Sequence, residues 1–146
     1  MKKHNVYTIS QKDIKKKWYI IDAENKSMGK VAAKAAYILR GKNKAIFTPY
    51  LDTGDNVIII NAAKAKMTGK KYTDKLYYHH SGYPGGMTSI SYEKLLEKKP
   101  CYPLELAIKG MLPKGPLGRD LFRNLRVYKD DKYKETSQNP EVVEKL

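Results

Sequence analysis

Thr68-Gly69-Lys70-Lys71 combines the residue types that hold phosphate in nucleotide-binding enzymes. A phosphate-binding loop needs a glycine, four further residues and then Gly-Lys-Ser/Thr, so that backbone amides surround the phosphate and the hydroxyl binds magnesium. Position 64 is a lysine instead of that glycine, and Lys71 replaces the hydroxyl. The dinucleotide fingerprint Gly-x-Gly-x-x-Gly is also absent from the sequence. We therefore expect no nucleotide cofactor.

Histidine and cysteine are the other reactive side chains considered. His79 and His80 are adjacent, so in an extended segment they point to opposite faces and cannot chelate one ion together. Cys101 is the only cysteine, which excludes an intramolecular disulfide and a multi-cysteine zinc site. No spacing of serine, histidine and carboxylate sets up a catalytic triad. We expect no catalytic residue, no metal and no small-molecule substrate.

The charge of the chain indicates its class of partner. Lysine and arginine number 29 against 15 acidic residues, for a net charge of +14 and an isoelectric point near 9.7. Such an excess favours a polyanionic partner. A membrane is not expected, because no stretch approaches the roughly 18 consecutive apolar residues of a spanning helix. The N-terminus lacks the apolar region of a signal peptide, so we expect a cytoplasmic protein.

Basic residues recur at positions predicted to be loops, helix ends or a basic N-terminal arm. There, phosphates can approach cationic side chains while the apolar stripes remain free for the core. Any single lysine is better explained as solvated surface, and only the collective excess favours nucleic acid. The predicted contacts are Lys15, Lys16, Lys17, Arg40, Lys42, Lys44, Lys70, Lys71, Lys114, Arg119, Arg123 and Arg126.

Aromatic residues cluster beside these charges and favour folded RNA over duplex DNA. Tyrosine and histidine stack on unpaired bases, whereas duplex DNA readers mostly insert a helix into the major groove. A tyrosine in a strand can equally be part of the core. The glycine-rich segment 81–86 is either a flexible connection or a backbone that approaches a partner closely. The predicted RNA contacts here are Tyr78, His79, His80 and Tyr83.

The elements that position these residues follow from hydrophobic patterning. Continuous apolar runs at 18–21 and 56–61 predict two buried strands, the first in the sheet centre. Between them, Ser27 can cap a helix that ends at Gly41, with an inner stripe of Val31, Ala32, Ala35, Ile38 and Leu39. Strand, helix and strand in this order predict a right-handed parallel crossover.

The second half of the chain is predicted as an extended segment followed by helices that pack on the sheet. Residues 72–80 favour a strand, and 92–98, 103–112 and 117–124 favour helices. Met111 belongs to the predicted apolar stripe of the second helix. Arg119, Arg123 and Arg126 would share one side if the third helix continued to residue 126.

The domain organisation follows from composition. Residues 1–17 form a basic arm that either lies extended on a partner or is a solvated terminus, 18–130 form one α/β domain, and 131–146 form a polar tail that is loose or docked.

Several segments, in this order and spacing, resemble the bacterial form of the universal large-subunit ribosomal protein thirteen family from about Trp18 to Pro140. They are Trp18-Tyr19-Ile20-Ile21-Asp22-Ala23, Leu39-Arg40-Gly41-Lys42, Tyr50-Leu51-Asp52-Thr53-Gly54-Asp55, Ile60-Asn61-Ala62, Thr68-Gly69-Lys70-Lys71, Tyr78-His79-His80-Ser81-Gly82-Tyr83-Pro84-Gly85-Gly86, Lys109-Gly110-Met111-Leu112-Pro113 and Leu117-Gly118-Arg119. The chain departs from the family at Lys30, where arginine is common, and at 132–139, where the family has a histidine-bearing segment.

The resemblance implies a three-layer α/β/α domain with a small, mainly parallel central sheet. It also implies binding to large-subunit ribosomal RNA, early action in subunit assembly and neighbouring ribosomal proteins as partners. We expect a structural ribosomal protein that is not a homo-oligomer. Two rival hypotheses remain: an α/β enzyme acting on nucleotides or RNA, and an extra-ribosomal regulatory binder of messenger RNA or DNA.

Overall fold

The computed structural model describes residues 14–143. Its centre is a four-stranded parallel sheet made of β1 (Trp18–Asp22), β2 (Asn56–Ile60), β5 (Leu125–Val127) and β6 (Glu141–Val142). The strands lie in the order β5-β2-β1-β6. Both predicted buried strands are confirmed, and they occupy the two central positions as expected of continuous apolar runs. The predicted α/β fold with a small, mainly parallel sheet is therefore confirmed.

Helix α1 (Met28–Leu39) connects β1 to β2 and packs its inner stripe on the sheet. All five predicted stripe residues are buried, and Ala36, which was not predicted, is buried as well. Ser27 lies at the N-cap position, but its side chain makes no capping hydrogen bond. A fully buried leucine such as Leu39 contributes about 1.5–3 kcal/mol of hydrophobic stabilisation.

The other helices are α2 (Lys71–Asp74), α3 (Tyr92–Lys98), α4 (Tyr102–Met111) and α5 (Pro116–Arg123). Short 3-10 turns occur at Ala62–Lys64 and Thr136–Gln138. The predicted helices at 92–98, 103–112 and 117–124 are confirmed to within one residue. Residues 72–74 were predicted as extended but form most of α2, and strand structure begins only at Leu76.

Helices α3 and α4 share a core with the sheet, as predicted, and they also pack on other helices. Helix α4 packs mainly on α1, and α3 packs on α2, on α4 and on strand β4 (Met87–Ser91). Leu104, Ile108 and Leu112 are buried, whereas Met111, predicted to be part of the same stripe, is 48% exposed. The buried stripe therefore continues to Leu112, and Met111 alone among these four residues lies at the surface.

The two faces of the sheet are covered differently. Ile21, Val57 and Ile59 share one hydrophobic core with buried residues of α1, α3, α4 and α5. Ile20 and Ile58 are cross-strand neighbours that point to the opposite face. Arg126 is paired in register with Ile58 and lies 3.8 Å from Glu135, so the connection from β5 to β6 crosses this second face.

The C-terminal segment is docked rather than loose as far as residue 143. Val143 donates its N–H to the carbonyl oxygen of Ile20, and β6 pairs with β1 at the edge of the sheet. The part of the predicted arm at 1–13 and residues 144–146 lie outside the described residues. No helix within 14–143 is long and apolar enough to cross a lipid bilayer.

A separate antiparallel hairpin is formed by β3 (Leu76–His80) and β4, with the glycine-rich segment as its turn. Residues 81–86 contain no regular structure, as predicted. Most residues of the hairpin are exposed. It is attached to the domain by Tyr77, whose ring stacks on Tyr92 with centroids 6.5 Å apart.

Candidate nucleic-acid interface

Two surface pockets meet at Pro113, between the end of α4 and the start of α5. The first, of about 500 Å³, lies between the ends of α1 and α4, and the second, of about 460 Å³, lies beside α5. Pro113 lines both pockets, and we call the two adjoining pockets together the basic groove. Its lining residues are Ala33, Ala36, Tyr37, Arg40, Lys42, Lys109, Met111, Leu112, Pro113, Lys114, Gly115, Gly118, Arg119, Phe122 and Arg123.

The end of α1 positions the first two cations of the groove. Gly41 has φ +78°, its N–H donates to Ile38, and the N–H of Lys42 donates to Tyr37. These bonds form a Schellman motif, so Gly41 ends the helix as predicted. The Arg40 guanidinium donates to the carbonyl oxygen of Pro49 and lies 5.7 Å from the centre of the Phe47 ring. Arg40 is therefore held in place.

Helix α5 positions two further cations of the groove, Arg119 and Arg123. Gly115 adopts φ +121° before Pro116, which occupies the first turn of the helix. Gly118 faces the backbone of Pro113 so closely that a Cβ atom would overlap the Pro113 carbonyl oxygen. This contact brings α5 against the end of α4. Arg119 and Arg123 are four residues apart and so lie on one side of α5.

The electrostatics of the groove are one-sided. Six of its lining residues are cationic and none of them carries a carboxylate. Within residues 14–143, no ion pair involves Lys15, Arg40, Lys42, Lys70, Lys71, Lys114 or Arg119. Apart from Arg40, which is partly buried, these side chains are exposed and so available to an anionic partner.

Three further predicted cations form exposed ion pairs. Lys16 pairs with Asp52, Lys17 with Glu141, and Arg123 with Asp120. The hydrogen bond and charge of Glu141 raise the pKa of Lys17. Exposed pairs of this kind contribute little to stability, because water and salt screen the charges. A phosphate can therefore replace the carboxylate at little cost.

Lys44 serves a structural purpose instead. Its ammonium donates to Asp55 at 2.6 Å and to the carbonyl oxygens of Lys15 and Thr53. The Asp55 side chain has no exposed area and also accepts the N–H of Lys17. Because all three donors of Lys44 are occupied, it holds the 15–17 segment against the 41–55 loop.

Arg126 does not share a side with Arg119 and Arg123. Helix α5 ends at Arg123, and Arg126 lies in β5 on the second face of the sheet. Its guanidinium donates to the carbonyl oxygens of Arg123 and Leu125 and lies 3.8 Å from Glu135. The condition for the predicted three-arginine surface, a helix that reaches residue 126, is not met.

The hairpin carries the predicted aromatic residues. Tyr78 and His80 point to one face and His79 to the other, as expected of adjacent residues in a strand. Tyr83 lies in the turn and is 76% exposed. Lys70 and Lys71 lie next to the base of the hairpin, where α2 begins.

Tyr37, Lys109 and Met111 were not among the predicted RNA contacts, yet all three line the groove. Helical spacing places Tyr37 away from the inner stripe of α1, but which element lies beside it depends on how α1 packs on α4. Within residues 14–143, no group of three or more His, Cys, Asp or Glu side chains is arranged to hold a metal ion.

Comparison with known proteins gives one consistent result. The family model described as Ribosomal protein L13 matches residues 16–134. The large ribosomal subunit protein uL13 of Borreliella burgdorferi is 61% identical over 132 residues, covering 90% of each chain. The protein of the same name from Borrelia duttonii is 62% identical over 126 residues, which cover 86% of this chain and 85% of the relative. The one from Aliivibrio fischeri is 53% identical over 131 residues, which cover 90% of this chain and 92% of the relative.

Proposed function

The chain belongs to the ribosomal protein L13 family of the large ribosomal subunit, and from this premise we propose that it binds and stabilises large-subunit ribosomal RNA through its basic groove. Its place is thus in the bacterial ribosome in the cytoplasm, among other ribosomal proteins. Family membership also makes it a structural protein rather than an enzyme.

The observation that supports RNA binding best is the charge of the groove. Among the described residues, the lining of the two adjoining pockets contains six cations and no carboxylate. The cations are Arg40, Lys42, Lys109, Lys114, Arg119 and Arg123. Several RNA phosphates brought together repel one another, and cations spaced around a groove reduce that repulsion. Arginine adds bidentate hydrogen bonds to phosphate. The groove is therefore suited to a place where RNA backbones converge.

Other predicted residues join this interface in our proposal. Five exposed lysines lie outside the groove. Lys15, Lys16 and Lys17 precede β1, and Lys70 and Lys71 lie beside the hairpin. They extend the cationic surface beyond the groove. Lys44 is left out because its donors are occupied within the protein, and Arg126 because it lies near Glu135 on the second face of the sheet. Neighbouring ribosomal proteins are proposed as further contacts.

We also propose that the protein acts early in subunit assembly. Its core is complete without a partner, with Ile21, Val31, Leu39 and Ile59 fully buried. A domain that is folded before it binds does not pay the ordering entropy at that moment, so it can stabilise RNA segments as they first meet. Quantitative mass spectrometry of large-subunit precursors should find it in the smallest particles.

The test of RNA binding is a salt titration of the full chain with large-subunit ribosomal RNA from the same organism. The affinity should fall steeply with salt, and the double variant Lys114→Gln/Arg119→Gln should lower the slope of log affinity against log salt by about one to two units.

The control is Lys98→Gln, which changes an exposed lysine at the end of α3, near the start of α4 and away from the groove. It removes a positive charge but should change the slope by less than half as much as either groove substitution. Equal effects of Lys98→Gln and Lys114→Gln would contradict the proposed groove, and salt-independent binding would contradict the function.

A further inference from the structure

The hairpin differs from the rest of the protein in charge. Residues 76–91 contain no lysine, arginine, aspartate or glutamate, although 30% of the chain is charged. Leu76, Tyr78, Tyr83 and Met87 are nonetheless 46%, 66%, 76% and 61% exposed. A hairpin without cationic side chains does not attract phosphates. Its exposed apolar side chains favour a partner with a flat or apolar surface.

The strand register shows which side chains share the exposed side. Leu76, Tyr78 and His80 are paired with Ser91, Ser89 and Met87 and lie on one side of the ribbon. The other side carries Tyr77, which stacks on Tyr92 and so faces the domain. We call the first side the outer hairpin face and define it by Leu76, Tyr78, His80, Met87, Ser89 and Ser91.

Tyr78 is available for stacking. Its cross-strand neighbour is Ser89, a side chain too short to cover a tyrosine ring. Tyr78 is 66% exposed. Tyrosine rings stack on nucleobases at low cost in conformational entropy, because the side chain has only two rotatable angles before its hydroxyl.

His80 adds a directed donor to this face. Its Nδ1 accepts the N–H of Gly82 at 2.9 Å, so the neutral ring carries its proton on Nε2. That hydrogen bond also fixes the orientation of the imidazole at the turn. The Nε2–H group remains to donate to an acceptor such as a base nitrogen or carbonyl oxygen.

The turn places Tyr83 beyond the end of the strands. Gly82 and Gly85 have φ +94° and +74°, conformations that glycine adopts without strain. The N–H of Ser81 donates to Gly86 and the N–H of Gly86 donates to Tyr83. These bonds define the turn, so Tyr83 is presented by an ordered loop.

We infer that the outer hairpin face and Tyr83 bind unpaired nucleobases of RNA by stacking, separately from the phosphate contacts of the groove. The inference rests on the proposed RNA-binding function. Paired bases in an A-form helix hide their faces, and such a helix presents phosphates and ribose hydroxyls instead. A neutral face with exposed tyrosines matches bases that have left a helix. A protein partner on the same face would give a different result in the test.

The experiment measures fluorescence anisotropy of the full chain with three labelled RNAs. They are large-subunit ribosomal RNA, a single-stranded oligo(A) of about 12 nucleotides and a duplex of the same length. Tyr78→Ala should weaken binding of the single strand about tenfold, and Tyr78→Phe should bind as the wild type does. With ribosomal RNA, Tyr78→Ala should lower affinity at every salt concentration without changing the salt slope.

Tyr50→Ala is the matched control, because Tyr50 is 63% exposed but lies outside the hairpin. Its substitution should leave all three affinities unchanged. Both alanine variants remove an exposed ring, so circular dichroism should show both folded. Equal effects of Tyr50→Ala and Tyr78→Ala would overturn the inference.

Two other results would also overturn it. One is equal binding of the single strand by wild type and Tyr78→Ala. The other is normal RNA binding by Tyr78→Ala with reduced incorporation into large subunits in cells, which would indicate a protein partner. In both cases a reduced salt slope for Lys114→Gln/Arg119→Gln would leave the groove proposal intact. Failure of the wild type to bind ribosomal RNA would instead refute the proposed function, and the inference with it.

Discussion

Lys44 forms a 2.6 Å ion pair with Asp55, whose side chain is completely buried. The pair joins the 15–17 segment to the 41–55 loop, since Asp55 also accepts the N–H of Lys17 and the 3.4 Å bond from Asn43. Removal of either partner would leave the other charge with fewer partners in a site from which water is largely excluded. The lysine is therefore expected to matter for folding more than for RNA.

Lys44→Met should lower the free energy of unfolding by about 3 kcal/mol, because it leaves the buried Asp55 carboxylate without its ion-pair partner. Lys42→Met, the same change at an exposed position two residues away, should change it by less than about 0.5 kcal/mol. Urea denaturation followed by circular dichroism measures both. Similar stabilities of the two variants would show that Lys44 is not structural.

The same pair of variants distinguishes the two lysines in RNA binding. Lys42→Met removes a cation from the groove and should lower the salt slope by a little under one unit. Lys44→Met should leave the slope unchanged at temperatures where it remains folded. The opposite ranking in a salt titration would move Lys44 back into the interface.

Gly118 is predicted to be essential for the shape of the groove. A Cβ atom at this position would overlap the carbonyl oxygen of Pro113, so Gly118→Ala must push α5 away from the end of α4. We expect a loss of about 1–3 kcal/mol or more in the free energy of unfolding and weaker RNA binding. Gly110→Ala is the control, because a Cβ atom at this helical position meets nothing within 4 Å. It should be neutral or stabilising. Equal thermal stability of the two variants would contradict the close contact.

The sequence predicted those parts of the fold that depend on local patterns. The continuous apolar runs of β1 and β2 and the stripe of α1 identify buried elements, because their side chains cannot be exposed in quantity. Gly41 marks the end of α1 for a similar local reason. The prediction of an extended segment at 72–74 was wrong, because a short stretch of this kind is compatible with both helix and strand. The two-residue strand β6 has too little sequence to give a signal.

The candidate site was predictable in type but not in arrangement. A surplus of cations predicts a polyanionic partner wherever those cations lie. Lys44 is structural and Lys42 is not because Lys44 pairs with Asp55. Only the fold of the loop brings Asp55 close to Lys44. The groove likewise requires α1 to end beside Pro113, a contact between distant parts of the chain. Neither relationship has a signal in residue spacing.

Cys101 is predicted to react slowly in the folded protein. Burial raises the pKa of its thiol, and nearby Glu105 and Asp130 act in the same direction. Less thiolate is therefore present near neutral pH than for an ordinary cysteine, and the thiolate is the reactive form. Alkylation by iodoacetamide should be slower in the folded chain than in urea, with a pH profile displaced to higher pH. Equal rates at each pH would contradict this environment.

Asp22 should make the free energy of unfolding depend on pH in the acidic range. Burial alone would raise its pKa, but hydrogen bonds from Asn61 at 2.9 Å and from the N–H of Glu24 at 3.0 Å, with Lys26 and Lys64 nearby, lower the pKa below 3.8. A lowered folded-state pKa means that the unfolded chain binds the proton more readily, so the stabilisation is complete above the unfolded pKa and is lost as pH falls through the folded one. The difference in unfolding free energy between wild type and Asp22→Asn should therefore be constant near neutral pH and shrink below about pH 4.

The control is Asp131→Asn, which changes an exposed carboxylate outside these hydrogen bonds. Its unfolding free energy, measured by urea titration at each pH, should differ less from that of the wild type. A difference for Asp22→Asn that grows as the solution is acidified would mean that the hydrogen bonds do not favour the charged form.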